Sequence, residues 1–284
     1  MVRMARPSDE YRQPAGPEPW WADAWEIDFA APGAGGGDGV GGFVRLALLP
    51  NQGVAWWWTG LLTPRLVAVR DHEVPLPRGG LEVRADGLWG ELVCETPLEH
   101  WSVGLEAFGI AYDDPADAWG DEWGERLPVG LDLEWEATAE PDGLPPAGPS
   151  PAGGTGRALA QPGRVHGEIL VGPDRIPIVG TGVRSRASGV LDWWSPRPQR
   201  RLAWVTTAGG AATAELLAPP GGPGGSEGGN GPETADGVTV LGEAPLLVTA
   251  PGRPAVRLGR ALCRVGEGAD GGLGWAEWFP AGPG

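Results

Sequence analysis

Lysine is absent from this 284-residue sequence: all 21 basic residues are arginine, set against 37 acidic ones, for a net charge of −16. That balance argues against nucleic acid as a partner, because a phosphate backbone is bound by clustered cations and repels so acidic a surface. Anionic membrane surfaces are disfavoured on the same ground. The all-arginine usage, with abundant Gly, Ala and Pro, has the pattern of a GC-rich bacterial genome and does not in itself mark arginine-specific sites.

Cysteine is scarce. Cys94 and Cys263 stand far apart, and a disulfide framework or a four-thiolate metal site needs more partners. His72, His100 and His166 are equally scattered, so no close His/Cys ligand pair arises, and the sequence gives neither a metal site nor an organic cofactor. The glycine runs at 35–37 and 221–222 lack the strand–loop–helix spacing of a phosphate loop. Residues 1–25 carry no apolar run of the secretory kind, and no later stretch approaches the ~20 apolar residues of a membrane helix. A cytoplasmic protein with reduced cysteines and no membrane insertion is the expectation.

Long helical periods are also missing, since 50 Gly and 31 Pro interrupt nearly every window. What remains is the period-two alternation of strands. Over residues 128–138, Val129, Leu131, Leu133, Trp135 and Ala137 fall on one face, and Gly130, Asp132, Glu134 and Glu136 on the other. Further strands are expected at 20–29, 43–49, 54–62, 66–73, 88–96, 101–111, 165–171, 176–184, 201–207, 238–241, 246–249, 255–265 and 274–279, with 211–217 either a strand or a short helix. Turn signals separate them, as in meandering antiparallel sheets that close into barrels or stack as sandwiches. Two Pro/Gly-rich stretches, 140–158 and 219–237, read as flexible loops. The first divides the chain into an N-terminal β domain, 1–139, and a C-terminal one, 159–284.

Sixteen tryptophans cluster along the chain. Most are expected to fill cores, with each indole N–H finding a partner. Others could line a barrel and stack on a flat apolar guest, or on a sugar. In a strand, Trp56 and Trp58 must share one face while Trp57 takes the other.

Residues 180–194 read GTGVRSRASGVLDWW. This stretch resembles the lipocalin-like superfamily of carotenoid 1,2-hydratases (hydroxyneurosporene synthases) and Diels–Alderase-like cyclases. In its actinobacterial branch the pattern is G-x-G-x-R-D-H-S-W-G-x-R-D-W, and Gly180, Gly182, Arg184, Gly189, Asp192 and Trp193 match at identical spacing. The segments WWADAWEIDF, VRLALLPNQGVAWWW and VGLDLEWEAT are similar to that branch as well, so the likeness runs loosely over residues 8–200. It implies an all-β protein of two lipocalin-like antiparallel barrels, or strongly curved sandwiches, side by side, with a pocket for an apolar compound. Ser185, Arg186, Ala187 and Ser188 stand where the pattern has Asp-His-Ser-Trp. The acid and imidazole are thus missing, and arginine cannot replace histidine as a base.

Gly180 and Gly182 suit a bend or a close backbone approach, and Gly189 a turn with positive φ before Asp192. Arg184 and Asp192 could face each other across a hairpin, or Arg184 could hold a carboxylate or carbonyl of a ligand. Asp132, Glu134 and Glu136 form either a carboxylate pairing or a solvated strand face, the second being the ordinary outcome. The acidic run from Asp113 to Glu125 lacks the spacing of a Ca²⁺ loop. No nucleophile elbow surrounds Ser102, Ser188 or Ser195. Trp56, Trp58, Trp101, Arg184, Asp192 and Trp193 are the candidate ligand-binding residues, and His100, His166 and Asp192 the candidate acid–base groups. Three functions remain open: binding of a terpenoid, polyene, steroid or polyketide-like molecule; a hydratase, isomerase or cyclase acting on one; or a non-catalytic interaction module.

Overall fold

The structure, a computed structural model, describes residues 5–33, 39–120, 124–141, 157–190, 193–194, 200–206, 212–215, 238–266 and 272–278. Asp192, segment 219–237 and most of 140–158 lie outside the described residues. The strands are β1 (Trp21–Ala31), β2 (Val40–Leu49), β3 (Val54–Leu62), β4 (Leu66–Pro75), β5 (Glu82–Ala85), β6 (Leu88–Thr96), β7 (His100–Tyr112) and β8 (Glu125–Ala137). They continue as β9 (Arg157–Val171), β10 (Asp174–Val190), β11 (Arg200–Thr206), β12 (Ala212–Glu215), β13 (Val238–Glu243), β14 (Leu246–Val248), β15 (Val256–Val265) and β16 (Gly272–Trp278). Two short 3₁₀ turns, Pro7–Asp9 and Pro115–Trp119, are the only helical elements among the described residues. No helix among those residues is long and apolar enough to cross a membrane.

Ten strands form one antiparallel sheet in the order β4-β3-β2-β1-β10-β9-β8-β7-β6-β5, and β4 also pairs with β7. Eight of them therefore close into a ring, the up-and-down topology of lipocalin-type barrels. Closure is uneven. β1 and β10 share an unbroken register from Trp21↔Val190 to Ala30↔Thr181. β4 and β7 share only Leu66↔Tyr112, Val67↔Ala111 and Ala68↔Ile110, after which the β5–β6 hairpin takes over the edge of β7. The remaining strands make a second sheet, β12-β11-β16-β15-β13, with β14 on β15.

β9 and β10 complete the ring, so the halves expected on either side of 140–158 share one sheet. β8 and β9 are hydrogen-bonded neighbours from Val129↔Val171 to Ala137↔Gly163. The division expected from a Pro/Gly-rich stretch fails here because such a stretch can equally be a long connection between adjacent strands.

Alternation decides what each face meets. In β1, Trp25, Ile27 and Phe29 enter the ring, while Ala22, Ala24 and Ala30 face the second sheet. β3 sends Trp57 inward and Trp56 and Trp58 outward, as their spacing requires. In β8, Leu131, Leu133 and Trp135 are buried while Asp132 and Glu136 are exposed. Both faces of β1, β2 and β3 are thus covered, which is why these strands read as near-continuous apolar runs.

The ring is filled. Trp25, Trp57, Trp101 and Trp135 lie in its core with Leu46, Val103, Leu133, Ile169 and Ile178. The N-terminal segment, residues 5–20, closes one end. Asn51 Nδ2 donates to the carbonyls of Gly16 and Glu18, Gln52 Nε2 to that of Pro19, and Arg12 Nη1 to that of Pro77. The hollow that the family likeness implies is occupied at that end by the protein's own chain.

Candidate functional site

The six ligand-binding residues expected from sequence divide between two places. Trp56, Trp58 and Trp193 meet on the outer face of β3, under the second sheet. Trp101 and Arg184 meet inside the ring. Asp192 lies outside the described residues.

The outer group is an aromatic wall. Trp56 stacks on Trp58 at a centroid distance of 5.7 Å, and Trp193 meets Trp58 edge-on at 5.3 Å. Trp20 and Trp194 extend the wall, 4.5 Å apart and 6.5 and 6.4 Å from Trp56. The Arg45 guanidinium covers Trp58 and Trp193, and that of Arg253 covers Trp20 and Trp194, as the negative ring faces favour. Trp56, Trp58 and Trp193 are buried, whereas Trp20, Trp194 and His72 keep part of their surface in solvent.

His72 stands against this wall, its ring edge-on to Trp56 at 5.1 Å and to Trp58 at 5.5 Å. Burial, and secondarily the Arg70 guanidinium, push its pKa down to about 3, so the ring is neutral at physiological pH. Nε2 accepts from the Trp58 indole N–H at 2.8 Å, which places the proton on Nδ1, 3.2 Å from Thr249 Oγ1. Both nitrogens are engaged.

Inside the ring, Glu10 of the closing segment meets Arg184 through two bonds of 2.7 Å, the fork-on-fork geometry of a carboxylate–guanidinium pair. Arg184 also donates to Gln161 Oε1 at 2.7 Å, and Gln161 is itself fixed by donation to the carbonyls of Leu98 and Ala139. Leu98 has φ 65, a left-handed conformation unusual for leucine, between β6 and β7. The guanidinium lies over Trp101 and Trp135, at 5.4 and 5.0 Å from their ring centroids. Burial lowers its pKa and Glu10 opposes that shift.

The Arg184–Asp192 pairing expected from sequence involves a residue outside the described ones, and what the structure gives is the partner of Arg184. β10 runs unbroken through both Arg184 and Gly189, and the partner of Arg184 comes from 174 residues away. Gly189 does have positive φ, 137, but within the strand, opposite Ala22. Arg186, standing where the family pattern has histidine, pairs with Asp23 at 2.5 Å and lies over Trp25 at 3.9 Å. It also donates to the Tyr11 carbonyl at 3.0 Å. The departure from the motif thus installs a buried ion pair.

Between ring and second sheet a third buried group holds two cations and three acids. Arg260 reaches Glu26 at 2.7 Å, Asp28 at 2.6 Å and Glu277 at 3.6 Å, while Arg45 reaches Glu26 at 2.9 Å. Burial alone would lower the Arg260 pKa, but the three carboxylates together raise it.

The candidate acid–base histidines do not join any of these groups. His100 Nε2 lies 2.6 Å from Glu134 Oε2 on the outer face of β7 and β8. His166 is exposed on β9, opposite Glu134 in register. Asp132, Glu134 and Glu136 line that same face in the manner of a solvated strand. Among the described residues no group of three or more His, Cys, Asp or Glu could hold a metal ion. An open pocket of about 190 Å³ lies where β4 parts from β7, lined by Val69, Arg70, Leu88, Phe108, Ile110 and Arg126 among others. None of the residues singled out in the sequence lines it.

Residues 6–217 match the sequence family described as Domain of unknown function (DUF7064). The chain belongs to the DUF7064 family. The matched span takes in the closing segment from Arg6, the whole ring, β11 and β12, and leaves β13–β16 beyond it. No curated protein matches this DUF7064 chain. Among solved structures it is similar to the Nitrosomonas europaea protein NE1406, a provisional AttH, at 10% identity and TM-score 0.48, over 92% of each chain. It is also similar to CghA, crystallised with Sch210972, at 11% identity and TM-score 0.43, over 94% of this chain and 90% of that one.

The sequence did not single out Glu10, which pairs with Arg184 in the DUF7064 chain, or His72, which stands against the aromatic wall, or the Arg260 group. The partners of the first two, Arg184 for Glu10 and Thr249 for His72, are remote in sequence, so no local spacing points to them. Trp20 and Trp194 carried a visible signal in the doublets Trp20-Trp21 and Trp193-Trp194.

Proposed function

We propose that this protein binds an apolar small molecule, of the terpenoid, polyene, steroid or polyketide-like class, against the aromatic wall between the ring and the second sheet. The observation that carries this reading is the wall itself: buried Trp56, Trp58 and Trp193 backed by partly exposed Trp20, Trp194 and His72. A flat apolar guest would stack on the partly exposed indoles in place of the Arg253 guanidinium that now covers Trp20 and Trp194, and a few polar groups suffice to orient it. The likeness of residues 180–194 to carotenoid 1,2-hydratases supports the same ligand class.

Binding is favoured over a hydratase, isomerase or cyclase by the state of His72. A general base needs a free lone pair within reach of the substrate, and the Nε2 lone pair here accepts from Trp58. An interaction module is disfavoured because the exposed large hydrophobics among the described residues, Tyr11, Phe108 and Val179, stand on different elements and form no patch.

The test is native mass spectrometry of the protein purified from its own host, with organic extraction, followed by tryptophan-fluorescence titration with a polyene, a steroid and a terpenoid alcohol. A co-purifying apolar compound is expected, together with saturable quenching that Trp194→Ala weakens about tenfold, equivalent to ~1.4 kcal/mol. Empty spectra from repeated preparations, with no saturable quenching by any of the three, would overturn the reading.

A further inference from the structure

The ring wall carries a charge problem that its own strands do not solve. Facing inward near one end are two cations, Arg184 and Arg186, and the wall supplies a single acid to them, Asp23. The second carboxylate is delivered from outside the sheet, by Glu10 of the strandless segment at residues 5–20. Taking up this position also gives that segment's carbonyls to the wall: Glu10 O accepts from the Trp25 indole at 3.1 Å and Tyr11 O from Arg186 at 3.0 Å. The segment thus answers donors that belong to the ring strands.

A second observation points the same way. The indole N–H groups of Trp101 and Trp135, whose rings flank Arg184, are buried without a hydrogen-bond partner, as is Nε of Arg184. Native interiors leave few donors unanswered, and although Nε of Arg186 and Arg260 and the Trp278 indole are unpartnered too, here three such donors belong to one guanidinium and the two rings beneath it, where a polar guest would find them. Gln161, held by Leu98 and Ala139, keeps Arg184 aimed inward independently of Glu10.

We infer that Arg184, Gln161, Trp101 and Trp135 form a carboxylate-binding subsite inside the ring, and that Glu10 is its built-in occupant. The external ligand is an apolar-bodied carboxylate: the charged end replaces the Glu10 carboxylate on Arg184, and the body takes the space of residues 9–12 against Trp25. Residues 5–20 then leave the end of the ring. This subsite lies on the opposite side of the strands from the aromatic wall and does not rest on the reading given for it.

Limited trypsinolysis of the wild-type protein tests this without a destabilising variant. Lysine is absent, so cleavage is confined to arginine, and the Arg12–Gln13 bond reports release of the segment. Dodecanoate below its micellar concentration is expected to speed cleavage at Arg12 at least fivefold, with other sites unchanged, and dodecanol to have no such effect. Equal acceleration by dodecanol, acceleration at all arginines together, or no acceleration would each overturn the inference. A second measurement uses Glu10→Ala: sodium acetate is expected to raise its melting temperature above that in sodium chloride of equal ionic strength. The same salts are expected to leave wild type and the Glu10→Ala/Arg184→Met double variant indistinguishable. No acetate-specific rise in Glu10→Ala would count equally against the subsite.

Discussion

A single imidazole is expected to add to the acid sensitivity of this protein. His72 is neutral in the fold, with its pKa at about 3 against an ordinary 6.5, so between these values the unfolded chain takes up a proton that the folded chain refuses. Stability therefore falls as pH drops through that window, by at most ~1.4 kcal/mol per pH unit from this group. Thermal melts from pH 7 to pH 4 are expected to show a steeper decline in wild type than in His72→Gln. The two thiols are quieter: burial pushes Cys94 up to about 11 and Cys263 up to about 12, so little thiolate exists at pH 8. A disulfide reagent at that pH is expected to modify both only after unfolding. At this scale the sequence was legible where a residue acts through its own strand, as with Trp57 turning from Trp56 and Trp58. It was opaque where the partner is distant, as with His72 and Glu10.

At the scale of elements, the ring and the second sheet are joined through charge as well as through indole and phenyl rings. Arg260 of β15 faces Glu26 and Asp28 of β1, while its guanidinium lies 3.9 Å over Phe43 of β2. Replacing it by methionine would leave buried carboxylates short of a cation, and a loss of ~3–5 kcal/mol is expected in urea denaturation. Close approach matters as much between β1 and β10. A Cβ on Gly182 would stand 2.3 Å from the Asp28 carbonyl and one on Gly180 2.1 Å from that of Ala30, so neither glycine can gain a side chain without moving the strand. Gly182→Ala is expected to cost ~1–3 kcal/mol by the same measurement. Strand positions and these two glycines were readable from alternation and from the motif. The four-residue β5 was not, being too short to show a period, and the hairpin imagined at Gly189 assumed a turn where β1 in fact continues the pairing.

For the whole molecule, the order of strands sets where the ring yields. Three residue pairs close β4 on β7, against the long register of β1 on β10. Amide hydrogen exchange is expected to run faster at Val67 and Ala68 than at Ile27 and Phe29, since the weakest contact opens first. That the fold is all-β followed from turn spacing and from the absence of helical periods, which left barrel and sandwich both open; the barrel was implied by the family resemblance. That one ring draws on both sides of residues 140–158 did not, because pairing of first strand with last leaves no trace in local composition.

This pairing also has a consequence for birth on the ribosome. Trp21 cannot meet Val190 until nearly the whole ring has left the exit tunnel, so β1 emerges with one edge unclaimed and must stay that way through most of translation. For that interval the nascent chain is a template for wrong partners, and anything that slows elongation before residue 190 lengthens the exposure.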